Sequence, residues 1–215
     1  MPAMLRVLLL LGLLTLSARA SDGTLPVLVK SNQGELLPDA VVYLTALDHP
    51  PVPAAPAAAA VIAQEDKEYD PYVTPILAGT RVSFPNRDNI QHHLYSLSKP
   101  KRFEKPLYAS GAEESIVFDQ PGIVTLGCNI HDWMVAYVVI LNTPWFAKTG
   151  SDGTAALTEI PAGRYRLEVW HPRLGKPAPR EITLTTGAKP AQEFSLTLKP
   201  DRRIRRAPES RTSGY

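Results

Sequence analysis

The 215-residue chain reads as an all-β protein of two modest sandwiches. Short runs rich in Val, Ile, Leu and Tyr recur from Thr24 to Leu198, each of strand length and each bounded by turn residues. The 13 Gly and 21 Pro supply those turns, and no long amphipathic helical period interrupts the pattern. With 44% hydrophobic and 20% charged residues, there is enough apolar material for one or two buried cores.

Residues 1–20 read as an address. Arg6, the apolar run Val7–Leu16 and the small-residue close Ser17-Ala18-Arg19-Ala20 form the pattern of a secretory signal peptide. The apolar core is too short for the ~20 residues a spanning helix needs, so the expectation is an exported, periplasmic protein with no membrane insertion after cleavage. Loss of Arg6 and Arg19 brings the 23 basic residues into balance with the 21 acidic ones. A near-neutral chain gives no reason to expect a nucleic-acid partner. One cysteine excludes an internal disulfide framework, and an odd Cys in an oxidising compartment invites intermolecular pairing unless it is buried or holds a metal. No phosphate-binding loop, dinucleotide fingerprint, zinc-protease helix or serine-hydrolase elbow is present, and no enzyme activity is expected.

Two strands are expected around the Asn32-Gln33-Gly34 turn, at Leu25–Lys30 and Ala40–Leu44. Residues 49–60 form a Pro/Ala linker with no core pattern, in which His49 is expected to be solvated. The next block, 61–144, offers strands at Val61–Gln64, Tyr72–Pro75, Thr80–Phe84, His93–Ser98, Glu114–Phe118, Gly122–Leu126 and Met134–Leu141. A third block holds Ala155–Leu157, Tyr165–Trp170, Arg180–Thr185 and Glu193–Leu198, with His171 closing a strand. Residues 200–215 form a basic, disordered tail.

The chemistry concentrates in Cys128-Asn129-Ile130-His131-Asp132-Trp133-Met134, which places a thiolate, an imidazole and a thioether within seven residues. Upstream, His92 and His93 supply further imidazoles. One loop between two strands can curl Cys128, His131 and Met134 around a point while a histidine arrives from a neighbouring strand. Cys with two His and a weak axial Met is the soft-donor set of blue copper, whereas zinc prefers four strong ligands. Adjacent strand residues face opposite sides, so His92 and His93 are alternatives, the other being a surface or supporting imidazole. Met134 is either a ligand or core packing, and Trp133 either a core aromatic or a docking residue.

These segments resemble a cupredoxin with the short ligand loop of the amicyanin type. Phe84 to Ser96 together with Gly127 to Met134 are similar to exported cupredoxin-like proteins of the methylamine-utilisation kind. The resemblance covers roughly Val61 to Asn142 and implies a Greek-key sandwich holding one type 1 copper ion. It implies His92, Cys128 and His131 as strong ligands and Met134 as the axial one. Asn86, six residues before His92, is implied to tie the two ligand segments together. His93 stands where Asn commonly follows the first ligand, and Asp132 where Pro often follows the second. A carboxylate at Asp132 is expected to favour Cu(II) and lower the reduction potential.

The phrase Gly150 to Val169, with Gly34 to Val42 before it, resembles a transthyretin-like or carboxypeptidase-regulatory-like sandwich. Residues 21–48 and 145–199 are therefore expected to form one split domain with the cupredoxin inserted. The alternative is a tandem in which the N-terminal strands join the cupredoxin sheet. The implied function is single-electron carriage between transient redox protein partners. A periplasmic copper-binding carrier and a non-catalytic cell-envelope binding module are the alternatives.

Overall fold

The computed structural model describes residues 23–50, 59–174 and 179–201. The expected signal peptide, linker residues 51–58 and the tail beyond residue 201 lie outside the described residues. Seventeen strands and no helix occur among the described residues. They begin with β1 (Leu25–Ser31), β2 (Val41–Ala46), β3 (Ala60–Val61), β4 (Ala63–Glu65), β5 (Glu68–Asp70) and β6 (Val73–Leu77). β7 (Thr80–Pro85), β8 (His92–Ser96), β9 (Phe103–Tyr108), β10 (Glu113–Phe118), β11 (Gly122–Gly127) and β12 (Val135–Leu141) follow. The chain closes with β13 (Phe146–Lys148), β14 (Thr154–Leu157), β15 (Gly163–Trp170), β16 (Arg180–Leu184) and β17 (Gln192–Leu196).

The two N-terminal strands pair with strands from the far end of the chain. β1 lies between β14 and β17, with Val27 opposite Ala155 on one side and Gln192 on the other. β2 lies between β13 and β15 in a sheet ordered β13-β2-β15-β16. Alternation explains the packing: Leu25, Val27 and Val29 of β1 and Tyr165, Leu167 and Val169 of β15 all point into one core. Gly153, at φ +69°, lets the chain turn beneath β1, where a Cβ would stand 2.6 Å from the Val29 carbonyl oxygen.

Residues 59–142 enclose a second, separate core. A three-stranded sheet, β10-β7-β3, and a five-stranded sheet, β6-β12-β11-β8-β9, contribute Phe84, Phe118, Val124, Leu126, Val138 and Ile140 to it. Strand β12 is apolar on both faces for a reason. Val138 and Ile140 enter this core, whereas Val139 and Leu141 join Val41 and Val73 in a small cluster between the two sandwiches, beside Tyr43, Tyr137 and Trp170.

The expected strand at Val61–Gln64 is split. Ala60 and Val61 run parallel to β7, Ile62 is fully buried, and Ala63 starts a separate hairpin with β5. Strands β5, β9 and β13 were not expected from sequence. β5 is three residues of mostly charged character, β9 carries Pro106 at a sheet edge where a missing donor is tolerated, and β13 is also three residues long. His49 is not simply solvated: it packs edge-on against Trp145 and Tyr165, with ring centroids at 5.9 and 5.6 Å.

Candidate metal centre

Three side chains converge at one end of the inner sandwich. The donor atoms of His92, Cys128 and His131 all lie within 4.8 Å of one another. Cys128 is buried, with its Sγ 3.9 Å from His131 Nδ1, and the His92 and His131 ring centroids are 5.0 Å apart. Cys128 and His131 share the loop after β11, and His92 opens β8, which lies beside β11 in the sheet. The close approach of these strands depends on Gly127: a Cβ there would meet the Tyr95 ring at 2.9 Å.

His92 is fully buried, and its two ring nitrogens have different surroundings. Nε2 lies 2.6 Å from Asp88 Oδ2, whereas Nδ1 is buried with no hydrogen-bond partner. An ionised carboxylate only accepts, so Nε2 carries the proton and Nδ1 keeps its lone pair. A buried nitrogen with a free lone pair next to a thiol and a second imidazole is what a metal ligand requires. The donor set fits copper on its chemistry: one soft sulfur and two imidazoles, with no fourth His, Cys or carboxylate in the group among the described residues.

His93 does not join this group. The ladder slips between His92 and Leu94, so three consecutive residues, His92, His93 and Leu94, are buried. His93 is 6% exposed rather than on the surface; its Nε2 lies 2.9 Å from Glu104 Oε1 and 3.5 Å from Asn129 Nδ2. Met134 is 1% exposed and lies in the same core cluster as Cys128, its N–H donating to the His131 carbonyl at 3.0 Å. Trp133 is half-buried, 5.2 Å from the His131 ring. Asp132 is exposed; with Trp133 it opens onto a cleft of about 550 Å³ that Pro172 and Arg173 of the outer sandwich also line.

Asn86 holds a different tie from the one its resemblance implied. Its side-chain amide donates to the carbonyls of Ile90 and Tyr108, at 2.8 and 3.1 Å, and its Oδ1 accepts from the Asp88 N–H. These bonds shape the turn leading to His92 and do not reach the Cys128 loop. Tyr69, which sequence reasoning missed, links the two ligand segments. Its buried hydroxyl lies 3.2 Å from the His93 carbonyl and 3.1 Å from that of Gly127. Burial, and then the charge of Cys128, push the Tyr69 hydroxyl well above the usual phenol range, so it stays a donor.

The same hairpin bears on both segments again at its tip. Asp66 and Lys67 have φ of 53° and 57°, the double left-handed turn of a type I′ hairpin between β4 and β5. Asp66 adopts this conformation readily, but Lys67 does so at a cost of about 1–2 kcal/mol, so the turn needs outside support. The Lys67 N–H donates to Asp88 Oδ2 at 2.9 Å, and its carbonyl accepts from Trp133 Nε1 at 2.9 Å. For Asp88, burial pushes the carboxyl up, but the Lys67 N–H and the contact with His92 outweigh it and hold it below the usual range.

Fold and site together define a β-sandwich with a Cys/His/His donor set in which Cys128 and His92 are buried and His131 is partly exposed. No protein-family model and no curated protein matches the sequence. Among solved structures, the chain is similar to a copper-containing nitrite reductase from Thermus scotoductus. That match has 21% identity over 45% of this chain and a TM-score of 0.37, and the chain spans only 25% of the length of the reductase. A purple cupredoxin from Nitrosopumilus maritimus matches at 25% identity, covering 40% of this chain and all of the other, with a TM-score of 0.34. A mutant of amicyanin in its Cu(I) form matches at 18% identity, covering 46% of this chain and 99% of the other, with a TM-score of 0.37.

Proposed function

We propose that this protein is an exported type 1 copper protein that carries single electrons between redox partners. The observation that carries the reading is the convergence of donor atoms from Cys128, His131 and His92, with His92 Nδ1 buried and unpartnered. These three would hold the ion, and the Met134 thioether, from the same loop, would add a weaker donor. Copper bound there supplies a one-electron couple between Cu(I) and Cu(II). The surrounding residues do the rest. Tyr69, Asn86 and the Asp66–Lys67 turn fix the segments that carry the donors, which would keep the site's shape when the ion is oxidised or reduced.

In this reading the protein is a carrier and not an enzyme, working in the periplasm after removal of residues 1–20. Ile130 is 49% exposed beside His131 and offers a small apolar contact for a transient partner. Residues 21–48 and 145–199 form a transthyretin-like domain around the inserted copper domain. The separate cores and the pairing of β1 with β14 and β17 support that division.

The test is a visible spectrum of the mature protein, residues 21–215, before and after one equivalent of Cu(II), with Cys128→Ala beside it. An intense thiolate-to-copper band, absent in the variant and bleached reversibly by a mild reductant, is the expected result. A colourless protein, or copper uptake equal without Cys128, refutes the reading.

A further inference from the structure

Asp88 contacts a proposed ligand from four residues before it, at a position between Asn86 and His92 to which the sequence assigned no role. Its side chain is 12% exposed, and the single oxygen Oδ2 receives both His92 Nε2–H and the Lys67 N–H, at 2.6 and 2.9 Å. Its backbone N–H is held by Asn86 Oδ1 at 3.0 Å, so the carboxylate is fixed from both ends. The chain thus runs from the Lys67 N–H to Asp88, to His92 Nε2–H, and across the ring to the free Nδ1. Asp132, the carboxylate adjacent in sequence to His131, is exposed at the rim instead.

We propose that Asp88 is the positioning residue of this centre, fixing the Nε2–H tautomer of His92 and raising the basicity of Nδ1 toward the metal. The inference rests on the copper reading for its redox consequence, but the tautomer is a property of the metal-free protein. A carboxylate on the far nitrogen increases electron donation through the ring, which favours Cu(II) over Cu(I). Loss of such a partner typically weakens metal affinity about 10–100-fold.

Asp88→Asn separates charge from geometry, because an amide oxygen in the same place still accepts both hydrogen bonds. In the metal-free wild type, long-range proton–nitrogen NMR should show His92 protonated at Nε2 and bare at Nδ1. Asp88→Asn should keep that tautomer, and Asp88→Ala should lose it. With copper, Asp88→Asn should lower the Cu(II)-to-Cu(I) affinity ratio about tenfold, a rise of about 59 mV in potential for one electron. Asp132→Asn should move it less than twofold.

A wild-type His92 protonated at Nδ1 overturns the proposal whether or not copper binds. So does an Asp88→Asn potential within twofold, in affinity ratio, of wild type in a protein that shows the Cys128-dependent band. If that band is absent, the copper reading falls, and the tautomer spectra of wild type and Asp88→Ala still decide whether Asp88 positions the ring.

Discussion

Replacing Tyr69 by Phe removes one oxygen from the point where the two ligand segments meet. The ring remains, so apolar burial is conserved and only the hydroxyl's bonds are lost. That hydroxyl has one proton, shared between the His93 and Gly127 carbonyls at 3.2 and 3.1 Å, and it stands 3.5 Å from Gln64 Nε2. A buried hydrogen bond is worth about 1 kcal/mol net, and a carbonyl left without its donor costs about 1–3 kcal/mol. Both carbonyls become poorer by half a bond, which places the loss at about 1–2 kcal/mol. Tyr108→Phe is the internal comparison, since that hydroxyl donates to one carbonyl, that of Phe84 at 3.1 Å, on the His92 side alone and does not bridge to the Cys128 loop. Urea unfolding of the metal-free proteins, followed by tryptophan fluorescence and circular dichroism, measures both. Tyr69→Phe should be the costlier change. A Tyr69→Phe protein within about 0.5 kcal/mol of wild type, the ordinary range of surface substitutions, refutes the assignment of Tyr69 as the tie.

Gly153→Ala should cost about 2–4 kcal/mol, combining left-handed strain with a clash at the Val29 carbonyl, whereas Gly34→Ala, equally left-handed but in open space, should cost about 1 kcal/mol; thermal melts distinguish them. The Thr154 N–H and hydroxyl hold the exposed Asp152 carboxyl below its ordinary value of 3.8, so its contribution is present above that value and fades as pH falls through the lower folded-state value. The stability gap between wild type and Asp152→Ala should therefore narrow as the solution is made more acidic than pH 3.8, as acid titration of the unfolding midpoint would show. Copper at a hundred times its Kd should stabilise the wild type by about 2.7 kcal/mol, an increment that a chelator removes and Cys128→Ala lacks.

What the sequence discloses about this centre is what is local. Cys128 and His131 stand three residues apart on one loop, and no tertiary information is needed to see that they can meet. His92 joins them through the sheet, because β8 lies next to β11, and that adjacency is not written in either segment. The supporting groups were hidden for the same reason. Tyr69 sits on a three-residue strand flanked by Glu68 and Asp70, with too little alternation to read. Asp88 looks like one more polar turn residue until its oxygen is found against His92. Asn86 is conspicuous in the sequence, yet its bonds run within its own turn and to Tyr108. His49 lies in a Pro-rich stretch that composition marks as solvated, and only the fold supplies Trp145 and Tyr165 as its neighbours.

The pairing of β1 with strands from the other end of the chain sets an order of events during folding. The hydroxyl of Ser195 reaches the carbonyl of Ser31 across 164 residues, so the outer sandwich cannot close until nearly the whole chain is available. The inner sandwich is under no such constraint. Its strands, from Ala60 to Leu141, are complete before β13 is made. A folded inner unit replaces a flexible stretch of chain with a compact body and so shortens the effective loop that the outer strands must span. The inner domain thus serves as a folding brace for the outer one, and mutations that loosen its core should slow closure of a sheet they never touch.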